Sequence, residues 1–210
     1  MAISEMEYMA PSLTPSQAMI KRAFDFSAAL LGLLVSWWLI LIAFLAASLD
    51  TRSNGFFIQN RVGKDGNIIR VVKIKTMRPD SRTTTTVTRS GDPRITPLGR
   101  FFRKTKIDEL PQLWNVLLGH MSFVGPRPDV PGYADELTGA ERAVLSLRPG
   151  ITGPATLKYR DEEEILALQG DPERYNREVI YPDKVKINLQ YIREWSFLGD
   201  LHYILDTVLG

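Results

Sequence analysis

The sequence predicts an α+β protein, mainly helical, built on an N-terminal membrane helix with interfacial amphipathic helices and a small β-hairpin around a catalytic domain. Three observations predict it. A run of 24 residues from Phe26 to Leu49 carries no charge, long enough as a helix to reach across a bilayer core. Two apolar, β-branched stretches flank one glycine-containing turn. Apolar residues then recur at helical spacing after residue 96 and again in the tail. The expected division is a mobile segment 1–20, a membrane-embedded segment 21–50 and a cytosolic catalytic domain 51–210.

Met1 to Gln17 is short, polar and broken by Pro11 and Pro15, which predicts a mobile or surface segment. The apolar run that follows is too long for the core of an export signal, and its leader has Glu5 and Glu7 where a signal has basic residues. It is therefore expected to stay attached. Lys21 and Arg22 stand before it, and Arg52, Arg61, Lys64, Arg70, Lys73 and Lys75 after it, so both flanks carry the basic signature of the cytoplasmic side. A spanning helix separates its flanks, whereas a re-entrant one returns them to the same face. No proline breaks the run, and on residues alone the two topologies stay open.

Phe56 to Met77 reads as a hairpin turning through Gly63 to Asn67. Arg78 to Gly91, rich in serine and threonine, reads as a loop. Leu98, Phe101 and Phe102 form an apolar stripe beside Arg100, Arg103, Lys104 and Lys106, the pattern of a helix lying in a membrane interface. Next comes Lys-Ile-Asp-Glu-Leu-Pro-Gln-Leu-Trp, residues 106–114, with Asp108 and Glu109 at the mouth of a helix that Gly119 ends. Leu110, Leu113, Trp114, Leu117 and Leu118 are its expected apolar face. A cap explains the acids as well as chemistry does.

Gly125-Pro126-Arg127-Pro128 holds one arginine between prolines, a phosphate-clamp candidate. Arg148-Pro149-Gly150-Ile151-Thr152-Gly153-Pro154 offers Arg148 and backbone amides, the ingredients of an anion nest. Asp161 to Glu164 reads as the acidic first turn of a helix rather than a metal cluster. Tyr181 to Leu209 predicts further helices.

With no cysteine and two histidines, His120 and His202, disulfides and thiolate metal sites are excluded and zinc or Ser-His-Asp chemistry is disfavoured. The net charge of +2 hides a basic segment after the membrane run, suited to anionic headgroups or phosphorylated substrates. A nucleic-acid binder would not need the apolar run, and no nucleic-acid motif is present.

Across most of its length the chain resembles the bacterial sugar transferases known as monotopic phosphoglycosyl transferases. The resemblance is carried by Lys21-Arg22-Ala23-Phe24-Asp25, Gln59-Asn60-Arg61-Val62-Gly63, the segment Asp92 to Arg100, the segment Asp108 to Val116, and the two proline-glycine loops. It implies transfer of a sugar-1-phosphate from a UDP-sugar to polyprenol phosphate at the lipid bilayer, with UMP released and Mg²⁺ as cofactor. It further implies Asp108 as nucleophile, Glu109 as metal ligand, and Arg127, Arg148, Arg94 and Lys75 as phosphate contacts. It places the enzyme in the inner membrane with the catalytic domain on the cytoplasmic face, and it implies a re-entrant helix. The alternative is an inactive, membrane-anchored interaction module of a glycan assembly complex. The sequence is compatible with a homo-oligomer and does not name the sugar. Three positions depart from the family pattern: Trp37 replaces a proline after Ser36, Lys75 stands where arginine is common, and His120 follows Gly119 where aspartate is usual.

Overall fold

A computed structural model describes residues 13–79 and 92–209. The chain opens with α1, Pro15–Thr51. Thr14 and Gln17 form a reciprocal capping box and Pro15 supplies a preset first turn, so the helix begins before the basic pair. The helical part of the segment expected to be mobile thus starts at Pro15. The rest of that segment, 1–12, and most of the Ser/Thr-rich loop, 80–91, lie outside the described residues.

The hairpin forms as expected. Strands β1, Phe56–Val62, and β2, Ile68–Ile74, pair antiparallel from Phe56 with Ile74 to Val62 with Ile68. Then come α2, Pro97–Thr105, a 3-10 turn over Ile107–Glu109, and α3, Gln112–Leu117. The proline-glycine loops are joined through a two-stranded parallel pair, β3, Ser122–Val124, with β4, Gly150–Thr152. Short helices α4, Pro154–Lys158, α5, Glu162–Ala167, and α6, Pro172–Tyr175, lead into α7, Tyr181–Arg193, and α8, Phe197–Leu209. The acidic residues 162–164 do form the first turn of α5.

α1 is a platform for everything else. Its buried residues fall on one face in two sets at four-residue steps, Lys21, Asp25 and Ala29 and then Ala43, Ala47 and Thr51. Near its start, Lys21 Nζ lies 2.5 Å from Asp200 Oδ2 of α8, and that carboxylate also accepts from Tyr191 and Trp195. Arg22 donates to the carbonyls of Val116 and Leu117, capping the C-terminal end of α3. Asp25 accepts from the Ser122 hydroxyl and the Phe123 amide. The Lys-Arg-Ala-Phe-Asp motif therefore grips a different element with each of its three charged residues.

Further along, small residues let backbones approach. Ala29 packs with Val71, Val116 and Met121, Gly32 meets Leu113, and Ala43 and Ala47 pack on Ile74 and Phe102. From Lys21 to Ala47 the helix rises about 39 Å at 1.5 Å per residue, and both ends of that span rest on the same globular fold. The opposite face leaves Leu31, Leu34, Val35 and Trp37 exposed. α1 is long and apolar enough to cross a membrane. It is helical throughout, and near its midpoint the Ser36 hydroxyl donates to the Gly32 carbonyl.

The two phenylalanines of α2 diverge. Phe102 is buried against α1, whereas Phe101 is exposed, so the expected stripe serves the core with one ring only. α3 differs in the same way: Leu113 and Val116 are buried, while Trp114 and Leu118 face outward.

Removing the ammonium from the buried pair leaves Asp200 without its counter-charge, a loss of about 3–5 kcal/mol for such pairs. Lys21→Met is expected to lower Tm in detergent accordingly, while Lys64→Met at the exposed hairpin turn stays within about 0.5 kcal/mol of the parent. Equal Tm values for the two variants would contradict this account of the platform.

Candidate active site

The site is assembled where α2 gives way to α3. Thr96 caps α2 by accepting from the Gly99 amide, and a Cβ on Gly99 would lie 2.0 Å from the Thr76 carbonyl, so glycine lets this helix press on the chain leaving β2. Lys106 ends the helix with φ 57, a left-handed conformation that turns the backbone into the 3-10 turn. That turn, not the first turn of α3, carries Asp108 and Glu109. Pro111 then starts α3.

Asn115 on α3 fastens the site to the hairpin. Its side-chain amide donates to the Arg70 carbonyl and its oxygen accepts from the Val72 amide, so it completes the free edge of β2 as another strand would. This brings Lys73 of β2 to Glu109: Lys73 Nζ donates to Glu109 Oε1 at 2.7 Å.

Arg127 arrives from the other side. Its loop leaves β3 beside β4 because Gly125, Gly150 and Gly153 let backbones touch, with a Cβ on Gly150 falling 2.2 Å from the Gly125 nitrogen. Arg127 Nη2 donates to the same Glu109 Oε1 at 2.8 Å. Among the described residues, Glu109 Oε2 accepts no hydrogen bond.

The two neighbouring acids are driven apart electrostatically. Burial raises the Asp108 pKa to about 6, the negative Glu109 adds to the rise, and Lys73 opposes it. Burial also works to raise Glu109, but Arg127 and Lys73 outweigh it and hold that carboxyl well below its ordinary value. Glu109 is thus a fixed, neutralised charge, while Asp108 is 8% exposed and, among the described residues, its Oδ1 has no hydrogen-bond partner. With a pKa of about 6 such a carboxylate is mainly ionised at pH 7 and needs no base to remove its proton.

The other sequence candidates have different neighbours. Arg148 Nε donates to the Gly119 carbonyl, joining Arg22 at the end of α3, where Gly119 takes φ 81. Lys75 Nζ donates to the Ser53 hydroxyl, and Arg94 is braced by Asp92. The structure therefore draws Asp108, Glu109 and Arg127 together and adds Lys73, which sequence reasoning counted only among the basic flank. Around this centre lie Arg103 paired with Glu163, Lys184 paired with Glu162, and Asp129, whose carboxyl burial raises to about 6 against the pull of Lys184 and Arg61.

A long apolar helix packed on the fold, together with a buried and a half-buried carboxylate faced by a lysine and an arginine, defines a membrane-associated class of protein with a charged, anion-compatible site. The chain belongs to the bacterial sugar transferase family, whose model matches residues 16–210. It is 36% identical over 197 residues to the UDP-glucose:undecaprenyl-phosphate glucose-1-phosphate transferase of Escherichia coli (strain K12), covering 90% of this chain and 39% of that protein. It is 36% identical over 208 residues to the galactosyl transferase CpsE of Streptococcus agalactiae serotype III (strain NEM316), covering 92% of this chain and 42% of that one. The exopolysaccharide production protein PSS of Rhizobium leguminosarum bv. phaseoli is 35% identical over 199 residues, 91% of this chain and 94% of the relative. The chain thus spans about two fifths of the first two proteins and nearly all of the third.

Because the folded-state pKa of Asp129 lies above the ordinary carboxylate value, its contribution to stability is complete at low pH and is lost as pH rises through about 6. Asp129→Asn removes that loss. The Tm of the variant relative to the parent is therefore expected to be more favourable at pH 7.5 than at pH 5, read by thermal melting in detergent, and an equal or reversed difference would contradict the assignment.

Proposed function

We propose that this chain transfers a sugar-1-phosphate from a UDP-sugar to polyprenol phosphate, releasing UMP, through a covalent intermediate on Asp108. The observation that carries the reading is the unpartnered Asp108 carboxylate oxygen beside a Glu109 already neutralised by Lys73 and Arg127. Relatives named as undecaprenyl-phosphate sugar phosphotransferases support the reaction class.

In the first step an Asp108 oxygen forms a bond to the sugar-bearing phosphorus, and the bond from that phosphorus to the bridging oxygen breaks, with UMP leaving with the electron pair. In the second, an oxygen of polyprenol phosphate attacks the same phosphorus and the Asp108 carboxylate departs unchanged. Lys73 and Arg127 face the diphosphate and offset its charge as it shifts toward the leaving group. Arg127 presents a guanidinium suited to two phosphate oxygens, and Lys73 a compact point charge.

Glu109 fits a magnesium ion. It remains ionised, its Oε2 is uncommitted, and among the described residues no group of three ligating side chains is present. Magnesium commonly takes one or two carboxylates and fills its remaining positions with substrate phosphate oxygens and water. When bound, the ion would supply Lewis-acid neutralisation of the diphosphate.

The membrane reading follows from α1. Since both ends of its packed stretch rest on one fold, the helix enters and leaves the bilayer on the same side, with its outward face of Leu31, Leu34, Val35 and Trp37 in lipid. Phe101 and Trp114, exposed beside the site, lie at the headgroup level. The catalytic part faces the cytosol of the inner membrane, where UDP-sugars are made. An inactive interaction module is not favoured, because the nucleophile and its charged neighbours are intact.

Incubating detergent-purified chain with polyprenol phosphate and a panel of UDP-sugars is expected to release UMP with one donor. Asp108→Asn, nearly isosteric, is expected to remain folded and to reduce that release by at least about 10³-fold. UDP as the product, or parental turnover in the variant, would overturn the proposal.

A further inference from the structure

We propose that Gln112 is a positioning residue for the nucleophile. Its side-chain amide closes onto Asp108 Oδ1 when the UDP-sugar binds and holds the other carboxylate oxygen toward phosphorus. The inference rests on the reading of Asp108 as nucleophile and adds to it a residue that neither the motif roles nor the charged cluster identifies.

The starting point is a pair of unmet needs. Among the described residues, Asp108 Oδ1 and Gln112 Nε2 are both buried side-chain atoms without a hydrogen-bond partner. Their residues are 8% and 2% exposed. One atom is an acceptor and the other a donor. Buried polar atoms are nearly always satisfied, so two complementary orphans four residues apart in the chain point to a bond made in another state.

The chain geometry makes that bond attainable. Gln112 follows Asp108 by four residues where the 3-10 turn runs through Leu110 and Pro111, both in the right-handed helical region, into α3, so the two side chains lie about one helical turn apart on a continuous path. A change of rotamer therefore suffices. The backbone of α3 does not have to move. It is held by Leu113 against Gly32, by Asn115 against β2, and by Arg22 at its far end.

Asn115 supplies the internal comparison. It is the other buried amide side chain on α3 and is fully committed, with its donor on Arg70 and its acceptor on Val72. Gln112 is equally buried, yet its donor is uncommitted. A purely structural role would have used it.

The chemistry explains the benefit. A carboxylate has two equivalent oxygens, and a donor fixed on one selects the other for attack. When that oxygen bonds to phosphorus and UMP leaves, Oδ1 becomes the carbonyl oxygen of the acyl phosphate, which still accepts from the amide. The bond persists through both steps, and Gln112 exchanges no proton.

The test uses the full chain in detergent with whichever of UDP-glucose, UDP-galactose or their N-acetyl counterparts the parent turns over. Gln112→Met keeps the length and removes the donor, and Gln112→Glu keeps the shape and replaces the donor with a like charge. Single-turnover UMP release without polyprenol phosphate, steady-state kcat and KM, and Tm are measured, with Asp108→Asn alongside. Gln112→Met is expected to slow the first step about 10- to 100-fold, to leave KM for the UDP-sugar within about twofold, and to match or exceed the parental Tm, since an unmet buried donor has been removed. Gln112→Glu is expected to lose more. Parental first-step rates in Gln112→Met, or a loss of rate that tracks a fall in Tm, would overturn the role of Gln112. Turnover by Asp108→Asn would instead overturn the nucleophile itself, so the two failures are distinct.

Discussion

The arrangement of the site depends on one carboxylate oxygen shared by two cations. Glu109 Oε1 takes Lys73 from the hairpin and Arg127 from the proline-glycine loop, so a single point ties three segments far apart in the chain. The same contact solves an electrostatic problem. Adjacent carboxylates in a poorly solvated place would each resist ionisation, and pairing Glu109 with two cations holds it charged while burial raises Asp108. Truncating one cation leaves Glu109 paired with the other, and only the loss of both leaves the carboxylate uncompensated.

α1 extends that constraint to the membrane. Lys21, Arg22 and Asp25 hold α8, α3 and β3, and Gly32 and Ala29 seat the helix on α3 and its neighbours. The Leu113 side chain, on the helix that follows the turn bearing Asp108, thus seats against Gly32 of the helix bearing the apolar face. In the proposed reaction one substrate is soluble and the other lies in lipid, and a site fixed rigidly to the lipid-facing helix presents the phosphorus to both.

Much of this was legible in the sequence. The hairpin, the acidic start of α5 and the stop at Gly119 all follow from local patterns, because each rests on turn chemistry or short-range periodicity, and the structure brings the candidates Asp108, Glu109 and Arg127 together. What escaped depends on contacts between distant segments. Lys73 and Lys75 share the composition of one basic strand, and only the end of β2 at Ile74 separates them, sending Lys75 to Ser53 and leaving Lys73 on Glu109. Arg148 has the local look of an anion contact, and its place at the end of α3 is set by the β3–β4 crossing, whose three-residue strands are too short to show a period. Phe101 and Phe102 are equivalent in hydrophobicity, and the position of α1 decides which is buried. Gln112 carries no charge to attract notice, and its unmet donor is visible only in three dimensions.

The central claim is that an oxygen of Asp108 becomes bonded to phosphorus during turnover. The most direct measurement is the mass of protein quenched in acid after brief mixing with its UDP-sugar in the absence of polyprenol phosphate, followed by peptide mapping. The account predicts a sugar-phosphate addition on the peptide containing Asp108 that disappears when polyprenol phosphate is added before quenching. Product formation at the parental rate with unmodified protein at every time point would contradict it.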